Sequence, residues 1–162
     1  MTIRIVVGDD DTTIRSTVED LLSADRRFEV VGTAADGREL LALVNAEHPD
    51  LVLVDVRMPH GGAEVARALA GSASESHGRT QPKVVTLSAD VSAEVLIEML
   101  RAGAVSYLTK GYLGGSLADL LARVAGGEVI LAAPTAQLVL QRLVGDAGDA
   151  TTPGVTPPDP ST

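Results

Sequence analysis

The sequence predicts an α/β protein built on a doubly wound sheet of five parallel strands, and three observations carry that reading. Runs rich in β-branched residues alternate with helical periodicities of about a dozen residues, the signature of βα units with right-handed crossovers. Leu51-Val52-Leu53-Val54 has no polar break, as expected of a strand covered on both faces. Of the 162 residues, 45% are hydrophobic but only 2% aromatic. The core is therefore aliphatic and alanine-rich, which suits helices packed on a sheet.

Each element follows in order. Ile3-Arg4-Ile5-Val6-Val7-Gly8 is a strand that runs straight into Asp9-Asp10-Asp11. Behind it, Ile14, Val18, Leu21 and Leu22 recur at helical spacing. One of the three aspartates, or Thr12, caps that helix; capping explains one acid well and three poorly, since adjacent carboxylates repel. Phe28 to Ala34 reads as the second strand, Asp36-Gly37 as a turn, and Leu40, Leu41 and Val44 as a helix closed by His48-Pro49. The central strand then ends at Asp55, with Pro59 barring its continuation. After Gly61-Gly62 comes a short helix with Val65 and Leu69 inward, and Gly71 to Pro82 has the composition of an exposed loop. Val84 to Leu87 is a strand ending at Ser88, and a helix with Val95, Leu96, Met99 and Leu100 inward stops at Gly103. Ser106 to Thr109 is a last short strand that delivers Lys110, and Leu117, Leu120, Leu121 and Val124 mark a fifth helix ended by Gly126-Gly127.

Five such units fit the flavodoxin-like strand order 2-1-3-4-5. A domain over 1–126 is expected, then a linker-like C-terminal helix within 127–144, and a disordered tail over 145–162 that is rich in Pro, Gly and Thr. That last helix spans Val129 to Val144, with an apolar stripe of Ala136, Val139, Leu140 and Leu143 that either packs on the domain or self-associates.

Composition narrows the function. Thirteen basic against 22 acidic residues give a net charge of −9, which argues against a phosphate-backbone binder. No cysteine is present, which excludes disulfides and thiol chemistry. No apolar run approaches the ~20 residues of a membrane span and no signal-peptide pattern leads the chain, so a cytoplasmic protein is expected. His48, His60 and His77 are scattered over loops and read as surface residues rather than metal ligands. No glycine-rich nucleotide motif follows a strand.

The strand order brings Asp9, Asp10, Asp55, Ser88 and Lys110 to the C-terminal ends that share one crevice, where ligands bind in such sheets. Converging carboxylates need a cation, and oxygen ligands without histidine or cysteine suit Mg2+, which keeps positions open for phosphate oxygens. Asp55 can then be a nucleophile toward a phosphoryl group. Mg2+ and Lys110 would share the neutralisation that phosphoryl transfer requires. Ser88 offers a hydroxyl to one phosphoryl oxygen, a contact absent from the unmodified state that can shift a conformational equilibrium.

At these residues the sequence resembles the receiver domain of two-component response regulators. The pieces are Val6-Val7-Gly8-Asp9-Asp10, Leu51 to Asp55 with Arg57-Met58-Pro59, Val85-Thr86-Leu87-Ser88-Ala89, and Gly103-Ala104 through Tyr107-Leu108-Thr109-Lys110. The resemblance covers roughly Met1 to Gly126. It implies Asp55 as phospho-acceptor, Asp9 and Asp10 as an acidic Mg2+ pair, and the backbone carbonyl of Arg57 as a further metal ligand. It also implies Ser88 as the switch hydroxyl, Lys110 as the family's active-site lysine, Tyr107 as the aromatic whose rotamer reports the state, and a histidine kinase as phosphoryl donor. The segment from Gly126 looks like the linker of the NarL/FixJ-type subfamily, whose members usually end in a helix-turn-helix. Three departures stand out: a short His60-Gly61-Gly62 loop, a long Gly71 to Pro82 loop, and a third acid at Asp11.

Two other classes compete with a phosphorylation-dependent switch. An aspartyl-phosphate hydrolase usually carries a second acid two residues after the nucleophile, where this chain has Arg57. A degenerate, non-phosphorylated interaction module is opposed by the complete set of site residues. The expected protein is no enzyme beyond self-catalysed phosphoryl acceptance and slow loss. Its expected outputs are protein contacts, including a homodimer through the fourth helix, last strand and fifth helix or through the C-terminal helix. No direct DNA or membrane binding by this chain is expected. Transcription would be regulated if a DNA-binding domain follows in the native protein.

Overall fold

The fold is a six-stranded parallel sheet with helices on both faces. It is seen in a computed structural model that describes residues 2–71, 81–89, 92–112, 116–132, 141 and 144. In chain order the elements are β1 (Ile3–Gly8), α1 (Thr12–Ser23), β2 (Phe28–Ala34), α2 (Gly37–Glu47), β3 (Leu51–Val54) and α3 (Gly62–Gly71). They continue as β4 (Lys83–Ser88), α4 (Ala93–Ala102), β5 (Ser106–Thr109), α5 (Leu117–Ala125) and β6 (Leu131–Ala132). The strand order is β2-β1-β3-β4-β5-β6, so the expected 2-1-3-4-5 order holds and a sixth strand extends it.

Alternation along the strands sorts the core into two layers. Val52 and Val54 of β3 face Leu40 and Val44 of α2, Val65 and Leu69 of α3, and Leu96 and Met99 of α4. Leu51 and Leu53 face the other way, with Val18 and Leu22 of α1 and Leu117, Leu121 and Val124 of α5. All four residues of β3 are at most 1% exposed, which is why the strand carries no polar residue before Asp55. Truncating such a side chain to alanine typically costs about 2–5 kcal/mol.

The helix ends explain the polar residues beside them. Asp11 caps α1, its Oδ1 accepting from the backbone N–H of Thr13 and Ile14 at 2.9 and 3.2 Å. Asp36 caps α2 by accepting from Glu39 N–H at 2.8 Å, and Ser92 caps α4 through Val95 N–H at 3.4 Å. Gly103 ends α4 with φ 117°, a conformation that costs other residues a Cβ clash. At α2 the chain comes close to a neighbour: a Cβ on Gly37 would stand 1.6 Å from the carbonyl oxygen of His60. Gly37 N–H donates to Pro59 O at 2.8 Å, which pins the loop after β3 against the start of α2.

The C-terminal segment corrects one expectation. Helical structure from Val129 onward was expected, but Leu131 and Ala132 form β6, paired parallel with Tyr107 and Leu108. The free edge of β5 supplies a backbone partner there, so tertiary pairing overrides the local pattern. Gln141 and Val144 are helical. The stripe residues Ala136, Val139, Leu140 and Leu143, the tail from Gly145, and most of the Gly71 to Pro82 loop lie outside the described residues.

Among the described residues, one buried polar atom away from the sheet's carboxyl end has no partner. Thr86 in β4 is fully buried and its Oγ1 has no hydrogen-bond partner. An unsatisfied buried hydroxyl costs on the order of 1–3 kcal/mol. Thr86→Val, which keeps the shape and deletes the hydroxyl, is therefore expected to raise the unfolding free energy by about 1 kcal/mol. The check is a urea titration, in which the midpoint should rise at unchanged slope; a lower midpoint would mean the hydroxyl is satisfied.

Candidate functional site

Backbone pairing places two acids side by side at the carboxyl end of the sheet. β1 and β3 pair up to Gly8 and Val54, and Asp55 N–H donates to Gly8 O at 2.9 Å, carrying the ladder one residue further. Asp9 N–H donates to Ala34 O of β2 at 3.0 Å. Asp9 and Asp55 thus emerge from adjacent strands and are 2% and 5% exposed, while Asp10 is exposed. Asp9 is further held by its neighbours: its Oδ1 accepts from Asp11 N–H at 2.9 Å and its carbonyl from Arg15 Nη1 at 2.8 Å.

The cation comes from two strands away. Ser88 pairs with Thr109, and Lys110 follows directly in a single 3-10 turn over Lys110–Tyr112. Its Nζ lies 3.0 Å from Asp9 Oδ2 and 3.6 Å from Asp55 Oδ2. Burial raises the Asp55 pKa above the usual carboxylate value, and the negative field of Asp9 adds to it. The Lys110 charge and the Arg57 N–H, 3.5 Å from Oδ1, work against that rise. Burial works against the Lys110 ammonium, yet its close polar contact with Asp9 and the fields of Asp55 and Asp9 outweigh burial and hold its pKa above the ordinary value.

Three carboxylates against one ammonium leave the cluster short of positive charge. Asp9, Asp10 and Asp55 each offer one oxygen, all within 4.8 Å of one another. Asp9 Oδ2 is buried and accepts no aligned hydrogen bond, although the Lys110 ammonium is close. An all-oxygen set with an under-satisfied buried carboxylate fits a hard divalent cation such as Mg2+. Asp11 is not part of the set, because its carboxylate is spent on the α1 cap. The third acid, which the sequence left unassigned, is accounted for by that cap.

The remaining candidates stand around this centre. Ser88 ends β4 and is 1% exposed. Tyr107 is fully buried in β5, in the core layer shared with α4, opposite Thr86 on β4. Arg57 is exposed in the loop after β3. Sequence reasoning missed the conformation of that loop. His60 takes a left-handed backbone with φ 53°, and its Nδ1 lies 3.5 Å from Glu64 Oε2. A Cβ on Gly61 would come within 2.4 Å of Val56 O, so the two glycines permit a tight wrap beside Asp55. No helix among the described residues is long and apolar enough to cross a membrane.

Comparison with known proteins agrees with this geometry. Residues 5–124 match the family model described as response regulator receiver domain. The chain is 32% identical over 139 residues to the transcriptional regulatory protein YxjL of Bacillus subtilis, covering 85% of this chain and 61% of that protein. It is 39% identical over 125 residues to a protein-glutamate methylesterase/protein-glutamine glutaminase of Nocardioides, covering 75% of this chain but 32% of that one. The chain thus spans less than two thirds of either relative, and in the methylesterase the matched part is a minor share of the protein. Among solved structures, the signal receiver domain of the putative response regulator NarL from Mycobacterium tuberculosis superposes with a TM-score of 0.72 at 32% identity. That match covers 78% of this chain and 98% of that one. The chain belongs to the receiver domain family of two-component response regulators, in company with receivers of the NarL type.

Proposed function

We propose that Asp55 is the phospho-acceptor of this receiver and that a histidine kinase in the cytoplasm is the donor. The observation that carries this reading is the position of Lys110, whose Nζ reaches both Asp9 and Asp55 from the end of β5. In the step itself an Asp55 carboxylate oxygen attacks phosphorus, and the P–N bond of the phosphohistidine breaks toward the departing imidazole. Asp9, Asp10, Asp55 and the Arg57 carbonyl would hold Mg2+ here, and bound Mg2+ would neutralise charge on the carboxylates and phosphoryl oxygens. Lys110 supplies a fixed positive charge from the β5 side, already held protonated by its acidic neighbours.

Ser88 and Tyr107 make the readout. Ser88 lies one strand over from Asp55, and its hydroxyl gains a phosphoryl oxygen as acceptor only in the modified state. That differential contact biases the two conformations. Space vacated as Ser88 turns toward the site opens into the layer that holds Tyr107, and the face of α4, β5 and α5 changes with it. The domain itself turns over no substrate: it accepts one phosphoryl group and loses it slowly. Output passes through protein contacts on that face, a second copy of this chain among them, and controls transcription where a DNA-binding domain accompanies the receiver.

Incubation with acetyl phosphate and Mg2+ should add a single phosphate, seen by intact-mass spectrometry. The adduct should vanish on chelation and in Asp55→Asn; an equal yield in Asp55→Asn would sink the assignment.

DNA is not expected to be bound by these 162 residues. A helix-turn-helix requires two or three further helices with basic side chains facing the major groove, and the net charge of −9 repels phosphates. A mobility-shift titration of the phosphorylated chain against promoter-length DNA should show no retarded band at micromolar protein. Sequence-specific retardation would refute this.

A further inference from the structure

We propose that residues 128–132 act as an intramolecular strap, sealing the free edge of β5 in the unmodified protein and lifting off when Asp55 is phosphorylated. The trigger rests on the receiver chemistry assigned above to Asp55; the strap itself rests on the structure of the segment. β5 is four residues long, and without β6 its outer edge would be open between α4 and α5. The segment fills that edge on both sides. Leu131 packs on the core layer that contains the α4 residues and Tyr107, whereas Ile130 packs on the layer that contains the α5 residues. The face that a protein partner would use is therefore covered by the chain's own backbone.

Dedicated contacts aim the segment there. Lys83 Nζ caps the end of α5, 3.2 Å from the carbonyl oxygens of both Val124 and Ala125. Gly127 then turns the chain with φ 107°, and Arg123 Nε pairs with Glu128 Oε2 at 2.7 Å. Ile130 N–H donates to Ser106 Oγ at 2.9 Å, and Tyr107 N–H donates to Ile130 O at 2.9 Å. Ser106 is fully buried, so its hydroxyl serves this bond rather than solvent.

The hold is also weak enough to be regulated. β6 has two residues, Val129 is 68% exposed, and the Arg123–Glu128 pair lies on the surface, where ion pairs contribute little. Short edge pairings of this kind open locally at far lower cost than the central strands. The residue whose amide holds the strap is Tyr107, the same residue whose side chain responds to Ser88. A rearrangement at Tyr107 therefore disturbs the strap directly, and by linkage a loosened strap favours the modified state by the same factor.

The test uses the full chain with residue-resolved amide exchange, and beryllofluoride with Mg2+ as the phosphoryl mimic. Uptake of the mimic is followed separately by its bound fluorine resonance. At saturation the Tyr107 and Ile130 amides should exchange roughly tenfold faster or more, within the usual range of coupling between sites. The Asp50 and Lys83 amides, bonded to Arg4 O and Asp50 O, should not change. Unchanged or slower exchange at Tyr107 and Ile130 with the mimic bound overturns the strap and leaves the chemistry of Asp55 standing. Absence of any bound fluorine signal overturns that chemistry, and the coupling with it. Ile130→Pro, which deletes the N–H that Ser106 accepts, should lower the beryllofluoride midpoint roughly fivefold or more. Ile130→Gly keeps the amide but removes the apolar anchor, and should shift the midpoint in the same direction. Protected Asp50 and Lys83 amides report that each variant is folded, and an unchanged midpoint in folded variants overturns the proposal.

Discussion

Two carboxylates, Asp9 and Asp55, are buried next to each other at the end of the sheet, and Lys110 is the protein's own compensation for them. Like charges this close in a poorly solvated place each oppose the ionisation of the other. The structure shows the consequence in the raised pKa of Asp55, which burial and Asp9 push upward against the pull of Lys110. Every strand of the site side of the fold serves this arrangement. β1 and β3 must be adjacent and in register for Gly8 O to receive Asp55 N–H, and β5 must lie two strands away for Lys110 to reach back across Ser88. The doubly wound order is thus the topology in which one lysine can meet both acids. The residual negative charge leaves the cluster of Asp9, Asp10 and Asp55 suited to a cation.

Along β4 the polar residues tell a related story. Thr86 and Ser88 alternate with Val85 and Leu87, so both hydroxyls point into the layer that holds Tyr107, while the valine and leucine join the α5 layer. Thr86 stands between Val54 and Tyr107 in the strand register. An unpaired hydroxyl at that level weakens an otherwise apolar contact between β4 and β5. A core that is slightly under-satisfied separates two packings by less than a fully apolar one would, which would suit the switching proposed for Tyr107.

Much of this was legible in the residues themselves, and the exceptions have a common cause. The end of the unbroken run at Asp55, the acids after Gly8 and the lysine after Thr109 announce the site because strand ends and chemistry coincide there. Local preference alone could not say which acid caps α1, since each of Asp9, Asp10 and Asp11 suits a helix start; the family resemblance singled out Asp9 and Asp10 as the metal pair and left Asp11 without a role. The backbone geometry assigns the Asp11 carboxylate to Thr13 and Ile14 and keeps Asp9 and Asp10 out of that cap. β6 escaped because Val129-Ile130-Leu131-Ala132 is short and uniformly apolar, and such a run fits either period. The vacant edge of β5 and the Ser106 hydroxyl decide the matter, and both are distant in sequence. The close approach of Gly37 to His60 is of the same kind: glycines advertise tight turns, but not which backbone each one meets.

These contacts also bear on where a change at Asp55 would be felt in the sheet. The edge formed by β2 lies beyond β1, whose six residues pair along their whole length with β2. β5 is shorter, contributes Lys110 from its very end, and is backed on its outer side by two residues of β6. Any redistribution of charge on Asp55 alters the force on Lys110, and that force acts on a four-residue strand whose outer side is held by only two residues. Proteins transmit small local shifts most readily where the receiving element has a second arrangement within reach. On the proposed reading that element is β5 with the strap laid across it, so that the electrostatics of the site and the weakness of the sheet edge would act on the same four residues.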